Sequence, residues 1–242
     1  MIIINAGIPR SGTVLVNAII RRILEGQGEV ESLNPPASPG DMLREVMERG
    51  HAGRSVVFHC HQWTAEDTQR IKALGAEAVS FCNYRDPRDC CVSLMRLHDH
   101  PLELSMANMR HYVRFHRQTL AATGGMAIRY EDLVADTPAH VSRIAGALGV
   151  ELDAGRVAAI CGATSQRAHA RIAQAVAEGK GAGIKTIRNS RRTLREDSDT
   201  HLADRHIQSG RSGRWQQELS PEDQARLSEG LADDVRALGY RI

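Results

Sequence analysis

Three groups of residues have the types and spacing to do chemistry. The first is Gly7-Ile8-Pro9-Arg10-Ser11-Gly12-Thr13, which sets two glycines around an arginine and a hydroxyl. A glycine-bearing loop between a strand and a helix binds anions. Its backbone N–H groups point inward, and the helix N-terminus adds about half a positive charge. Arg10, Ser11 and Thr13 would add side-chain donors. The spacing is that of Gly-x-x-x-x-Gly, but Thr13 stands where a triphosphate loop needs lysine, and the cation has moved forward to Arg10. That argues against ATP or GTP hydrolysis and for a related anion. The competing reading is an ordinary strand-turn-helix whose glycines only make the turn.

The second group is Arg85-Asp86-Pro87-Arg88-Asp89-Cys90-Cys91-Val92-Ser93. Arg85 offers a fork of donors. Pro87 suits the first turn of a helix, which brings Ser93 back near the same end of the element. The third is His59-Cys60-His61, closing a strand whose alternation puts both imidazoles on one side. An imidazole with a pKa near 6.5 takes a proton from a hydroxyl at neutral pH. Either His61 or His59 could fill that role. A structural role, or zinc held by the His-x-His pair, competes; no further ligands stand at telling spacing.

These groups need elements to hold them. Met1 to Ala6 is an apolar, β-branched run that reads as a buried parallel strand. Val14 to Glu25 carries Leu15, Ala18, Ile19, Ile23 and Leu24 on one helical stripe. Further strands are expected over 55–61, 77–84 and 126–130. Ser38-Pro39 opens a helix that presents Met42, Leu43, Val46 and Met47 and stops at Gly50. Thr64 to Asp67 reads as an N-cap box. A long helix is expected over 102–123, with Arg110, His111, Arg114, His116 and Arg117 as its wet face. Others follow over 137–149 and 220–239. Segment 28–53 reads equally as a lid or as plain connecting structure, and 165–205 as a segment that orders over a bound anion, a surface that meets an anionic partner, or a solvated loop. The second is basic from Arg167 to Arg195, and Gly179, Gly181 and Gly183 loosen it.

Pro9-Arg10-Ser11-Gly12-Thr13 resembles the 5′-phosphosulfate loop of the sulfotransferases that use 3′-phosphoadenosine 5′-phosphosulfate (PAPS), where the pattern is Pro-Lys/Arg-Ser-Gly-Thr-Thr. Arg85 to Ser93 resembles the family's Arg-Asn/Asp-Pro-Arg/Lys-Asp-x-x-Val-Ser, whose first Arg and last Ser hold the donor's 3′-phosphate. His61 falls on the histidine of the family's Lys-Thr-His, the general base, and His59 stands where lysine is usual. Tyr130-Glu131-Asp132-Leu133 resembles the Tyr-Glu-Asp-Leu whose tyrosine contacts adenine. Thr164-Ser165-Gln166 resembles Thr-Ser-Phe, and Gly210, Gly213 and Trp215 match the late Arg-Lys-Gly-x-x-Gly-x-Trp. Val14, Leu15 and Gln166 replace the second loop threonine, a stacking tryptophan and an aromatic. Gln208 and Ser209 replace the late Arg-Lys pair.

The resemblance implies one α/β domain over 1–242, three-layered α/β/α with a mainly parallel sheet like that of the P-loop nucleoside triphosphatases. It implies an enzyme that moves a sulfonate group from PAPS to a small-molecule hydroxyl or amine, leaving adenosine 3′,5′-bisphosphate (PAP), without metal. The catalytic candidates are His61, Arg10, Ser93 and His59. The donor-binding candidates are Pro9, Arg10, Ser11, Gly12, Thr13, Val14, Arg85, Ser93, Tyr130, Thr164, Ser209, Gly210 and Arg211. A phosphotransferase and a non-catalytic nucleotide-binding module are the rival classes.

Composition sets outer bounds. The chain has 242 residues, 25% charged and 42% hydrophobic, the profile of a globular domain with a sizeable core. A formal charge of +2 makes no case for nucleic acid. Five cysteines, an odd number with Cys90 and Cys91 adjacent, make no disulfide framework and suit a reducing compartment. With no apolar run of about 20 residues and no signal-peptide pattern, a cytoplasmic protein is expected. Aromatic residues are only 4%, which favours a polar acceptor over a flat phenol held between rings. The family's short C-terminal dimer motif has no convincing match, which leaves a homodimer open.

Overall fold

The computed structural model describes residues 1–242 except 34–38, 51–52, 74, 181–182, 189–192, 198–199 and 203–209. β1 (Ile2–Gly7) is fully buried, as its β-branched run requires. It pairs in parallel with β3 (Arg54–Cys60) on one side and β4 (Ala78–Tyr84) on the other. β5 (Met126–Arg129) extends the sheet beyond β4, and β2 (Glu29–Leu33) beyond β3. The order is β2-β3-β1-β4-β5, and all four pairings are parallel. This is the expected α/β class. Register sets Asn5 beside His59, and Gly7 beside Asn83, so the chemistry-bearing residues gather at the carboxyl ends of the strands.

Local signals explain most boundaries. α1 (Thr13–Leu24) follows the glycine loop, and α2 (Gly40–Arg49) follows Pro39. α3 (Ala65–Ala73) opens with the predicted box: Thr64 and Asp67 exchange hydrogen bonds of 2.7 to 3.1 Å. α4 (Pro87–His98) starts at its proline, and the Asp86 carboxylate accepts the Arg88 N–H at 2.9 Å. α5 (Leu102–Thr123) ends where Gly124 turns left-handed. β5 ends one residue short of the predicted strand, and Tyr130 instead opens α6 (Tyr130–Ala135). α7 (Thr137–Ala147), α8 (Ala154–Ala163) and α9 (Gln166–Ala177) follow. β6 (Ile184–Arg188) and β7 (Thr193–Asp197) then form an antiparallel pair. α10 (Arg214–Glu218), α11 (Pro221–Gly230) and α12 (Ala232–Ala237) close the chain.

Four sequence expectations change. Segment 28–53 contains strand β2, missed because Glu-Val-Glu-Ser-Leu lacks an apolar run; paired on one side only, it needs none. The basic segment after Arg167 is largely α9 and the β6–β7 pair. The single C-terminal helix divides at Leu231. His116 belongs to no wet face: it is 5% exposed, and burial pushes its pKa down to about 4, so it stays neutral. Asn34, Pro35, Pro36 and Ser38 lie outside the described residues.

Contacts divide the chain into two compact units. The first holds 1–13, 26–136 and 211–242, including the whole five-stranded sheet. One of its cores joins Ile2, Ile4, Val56 and Phe58 to Leu43, Val46, Trp63 and Ile71. Another joins Ile8 and the buried side of α4 to α5, Trp215, Leu227 and Val235. The second unit holds 14–25 and 137–210. Its buried apolar side chains include Ile19, Ile23, Val141, Ile144, Ile160 and Val176, and Arg156 ties α8 to α1 through the Arg22 carbonyl at 2.8 Å.

Candidate functional site

The loop after β1 is shaped by close approach. A Cβ on Gly7 would lie 2.6 Å from the Thr13 methyl and 2.7 Å from the Asn83 carbonyl, so only glycine fits. Ile8 N–H donates to that carbonyl (3.1 Å), and Ser11 N–H donates to Ile8 O (3.1 Å), which closes the turn around Pro9. Asn83 Nδ2 donates to Asn5 Oδ1 (2.6 Å) and Asn5 Nδ2 to Thr13 O (2.9 Å), so two buried amides fix the start of α1 from beneath. Arg10 adopts φ 72° and Gly12 φ 90°. The left-handed region costs a non-glycine residue about 1 kcal/mol or more, a local strain of the kind found at ligand clamps. Gly12 is pressed by the Tyr130 ring, 2.7 Å from where a Cβ would stand. The first turn of α1 carries no acid, so its N-terminal charge is not offset within the helix.

The two anion motifs meet here. Arg10 Nε donates to Ser93 Oγ at 2.9 Å. Arg85, just past the end of β4 and 5% exposed, lies with its guanidinium 4.5 Å from the Tyr130 ring centroid. Its Nη2 donates to Arg211 O (2.6 Å) and to Asp89 Oδ2 (3.3 Å). Burial pulls the pKa of Arg10 down to about 10, and the charges of Arg85 and Arg214 add to that pull. The Arg85 and Arg214 charges thus act on Arg10 even though Asp89 and Glu218 pair with them, and an anion placed there would offset that repulsion. Ser11 Oγ and Arg85 Nε are buried without a hydrogen-bond partner. Such orphans cost about 1–3 kcal/mol each unless a ligand oxygen meets them. The residues present thus fit a nucleotide carrying phosphate or sulfonate groups.

His61 follows β3 and is exposed at the protein surface. Its Nδ1 lies 2.8 Å from Gly7 O. A carbonyl only accepts, so Nδ1 carries the proton and Nε2 keeps a lone pair. The protein around the ring lowers its pKa, and the Arg10 charge lowers it further against the raising effect of the Gly7 bond. His61 is therefore neutral at pH 7. His59 sits 6.1 Å away, centroid to centroid, and is 4% exposed, which leaves it less able to reach an acceptor.

The remaining predicted residues divide by unit. Pro9, Ser11 and Thr13 are buried in the loop, and Gly12 is half-buried. Tyr130 wedges between Gly12 and Arg85. Arg211 is exposed, and its carbonyl, rather than its guanidinium, is what meets Arg85. Val14, Thr164 and Gly210 belong to the second unit. Thr164 is buried, and its hydroxyl donates back to Ile160 O at 2.8 Å. Gly210 has φ 63°. Ser209 lies outside the described residues. Among the described residues no three His, Cys, Asp or Glu side chains form a metal-holding group.

Sequence reasoning missed two participants. Asp89 accepts from Gly213 N–H (2.8 Å) and Trp215 N–H (3.2 Å) while it holds Arg85, so one buried carboxylate clamps the late glycine-tryptophan segment to the start of α4. Its spacing of four from Arg85 was the available signal. Arg214 is buried beside Glu218 (2.6 Å) and completes the arginine cluster.

No protein-family model and no curated protein matches this chain. Solved structures do. Mouse sulfotransferase SULT7A1 complexed with PAP aligns with 97% of this chain and 84% of its own, at 17% identity and a TM-score of 0.63. Retinol dehydratase in complex with retinol and PAP aligns with 100% of this chain and 83% of its own, at 15% identity and a TM-score of 0.62. Retinol dehydratase with androsterone and inactive cofactor PAP gives 14% identity, a TM-score of 0.60, and coverage of 100% and 82%. The chain has the α/β fold of the sulfotransferases.

Proposed function

We propose that this protein is a sulfotransferase that moves a sulfonate group from PAPS to a hydroxyl, or an amine, of a small-molecule acceptor. The observation that carries the reading is the Arg10–Ser93 hydrogen bond, which joins the loop expected at the 5′-phosphosulfate to the helix expected at the 3′-phosphate. Arg85 stands beside it with one guanidinium nitrogen free of protein acceptors. Similar folds bind PAP, and one of them, retinol dehydratase, binds the small molecules retinol and androsterone.

In the reaction, the acceptor oxygen attacks sulfur in line. Its O–S bond forms as the bond from sulfur to the 5′-phosphate oxygen breaks, and the acceptor proton passes to His61 Nε2. Negative charge gathers on the sulfonate and on the departing phosphate oxygen. Arg10, Ser11 and the N–H groups of the loop and of the first turn of α1 stabilise it. Arg10 keeps its proton, and a phosphate leaving group needs none. Arg85 and Ser93 hold the 3′-phosphate and so set the position of the sulfur. Tyr130 supports both pockets by packing between Gly12 and Arg85, and the Arg211 carbonyl holds the Arg85 guanidinium from the other side. No helix among the described residues is long and apolar enough to cross a membrane.

The test is transfer from PAPS labelled on its sulfonate to a mixed panel of alcohols and amines. Labelled acceptor should appear with one PAP formed per transfer. Transfer of phosphate from ATP with Mg²⁺, and none from PAPS, would contradict the reading.

A further inference from the structure

Helix α5 runs past the candidate base with an unusual charge pattern: after Glu103 it carries no acid, but it bears Arg110, His111, Arg114, His116 and Arg117. Their surroundings differ. Arg110 donates twice to Gly230 O (3.1 and 2.8 Å), and its charge, with that of Arg117, acts on Asp234. His116 is buried. Arg114 and His111 stay exposed, and among the described residues no carboxylate pairs with Arg114. Its Nη2 instead meets His111 Nδ1 at 3.2 Å, and its guanidinium carbon stands 5.9 Å from the Phe115 ring centroid.

This pair is joined to the reacting centre. An arginine only donates, so His111 Nδ1 accepts and the ring N–H of that arrangement is on Nε2. That Nε2 lies 3.4 Å from the side-chain amide of Gln62, the residue after His61, whose oxygen serves as acceptor once the amide is turned. The His111 ring is 5.8 Å from Tyr112, and Tyr112 is 6.1 Å from His61. Outward from the base the order is His61, Tyr112, His111, Arg114. The base comes first, then an aromatic surface, then a cation oriented by the His111 imidazole and, among the described residues, with no carboxylate beside it.

We propose that this row selects the acceptor, and that the acceptor carries an oxyanion (a carboxylate or a phosphate) on the same small molecule as the hydroxyl to be sulfonated. Arg114 presents the planar fork that matches either group, His111 and Gln62 hold it in place, and Tyr112 covers the carbon frame between the two ends. The inference rests on His61 being the acceptor-side base of a sulfotransferase.

Matched pairs test it: a hydroxy acid against its methyl ester, and a sugar phosphate against the free sugar, each with labelled PAPS. The anionic member of at least one pair should show kcat/KM about tenfold or more above its neutral partner, and the two pairs separate carboxylate from phosphate. Arg114→Gln should collapse that ratio by raising KM for the anion, and Arg114→Lys should restore part of it. Arg110→Gln, on the Asp234 side of the helix, should leave the ratio unchanged. Neutral members favoured or equal, a ratio indifferent to Arg114→Gln, or PAP binding with no anionic alcohol sulfonated would each overturn the inference. Failure to bind PAP at all would instead strike the sulfotransferase reading beneath it.

Discussion

His61→Ala should lower kcat by about 100- to 10,000-fold while PAP affinity barely changes, because the lost group takes the acceptor's proton and touches no donor phosphate. The Nδ1 bond to Gly7 O fixes the tautomer and aims Nε2, so His61→Gln, which keeps polarity without basicity, should be nearly as inactive. The pH profile adds a sign. Although His61 reaches solvent, the protein around it and the Arg10 charge hold its pKa below 6.5. The neutral base predominates above that lowered pKa and is lost as pH falls through it. The acid limb of kcat/KM should therefore lie below pH 6.5 and vanish in the alanine variant. Steady-state rates across pH check both statements, and unchanged turnover would remove His61 from the mechanism.

Arg85→Ala should weaken PAP binding by about 10- to 150-fold, the range of a lost charge-assisted hydrogen bond, and leave AMP binding almost unaltered. AMP lacks the 3′-phosphate that Arg85 is assigned to hold. Truncation also removes a partner of Asp89, so some stability will be lost, though Gly213 and Trp215 N–H still satisfy that carboxylate. The ratio of the two affinities separates the effects: general loosening weakens both nucleotides, and loss of a 3′-phosphate contact weakens only one. Titration calorimetry on the variant reads that ratio, and an unaltered one would break the assignment.

The elements around the site were legible because their signals are local. Gly7 and Gly12 mark a turn where backbone and side chains leave no room for a Cβ, and Pro87 marks a first helical turn. What escaped depends on partners distant in sequence. His116 reads as one more polar residue on an exposed stripe, yet the helix turns that position inward beside Tyr84. β2 is polar because it lies at the sheet edge, which only the strand order reveals. The Asp89 clamp bridges to residues more than 120 positions away. Tyr130 could be matched to a motif, but its wedge between Gly12 and Arg85 is a tertiary contact that no spacing announces.

The account stands on two neighbouring anion pockets that admit a nucleotide phosphorylated at both its 5′ and 3′ positions. Direct titration of the protein with adenosine 3′,5′-bisphosphate and with AMP tests this most plainly. The bisphosphate should bind at least about tenfold more tightly, the yield of one further charge-assisted contact. Equal affinities would contradict it.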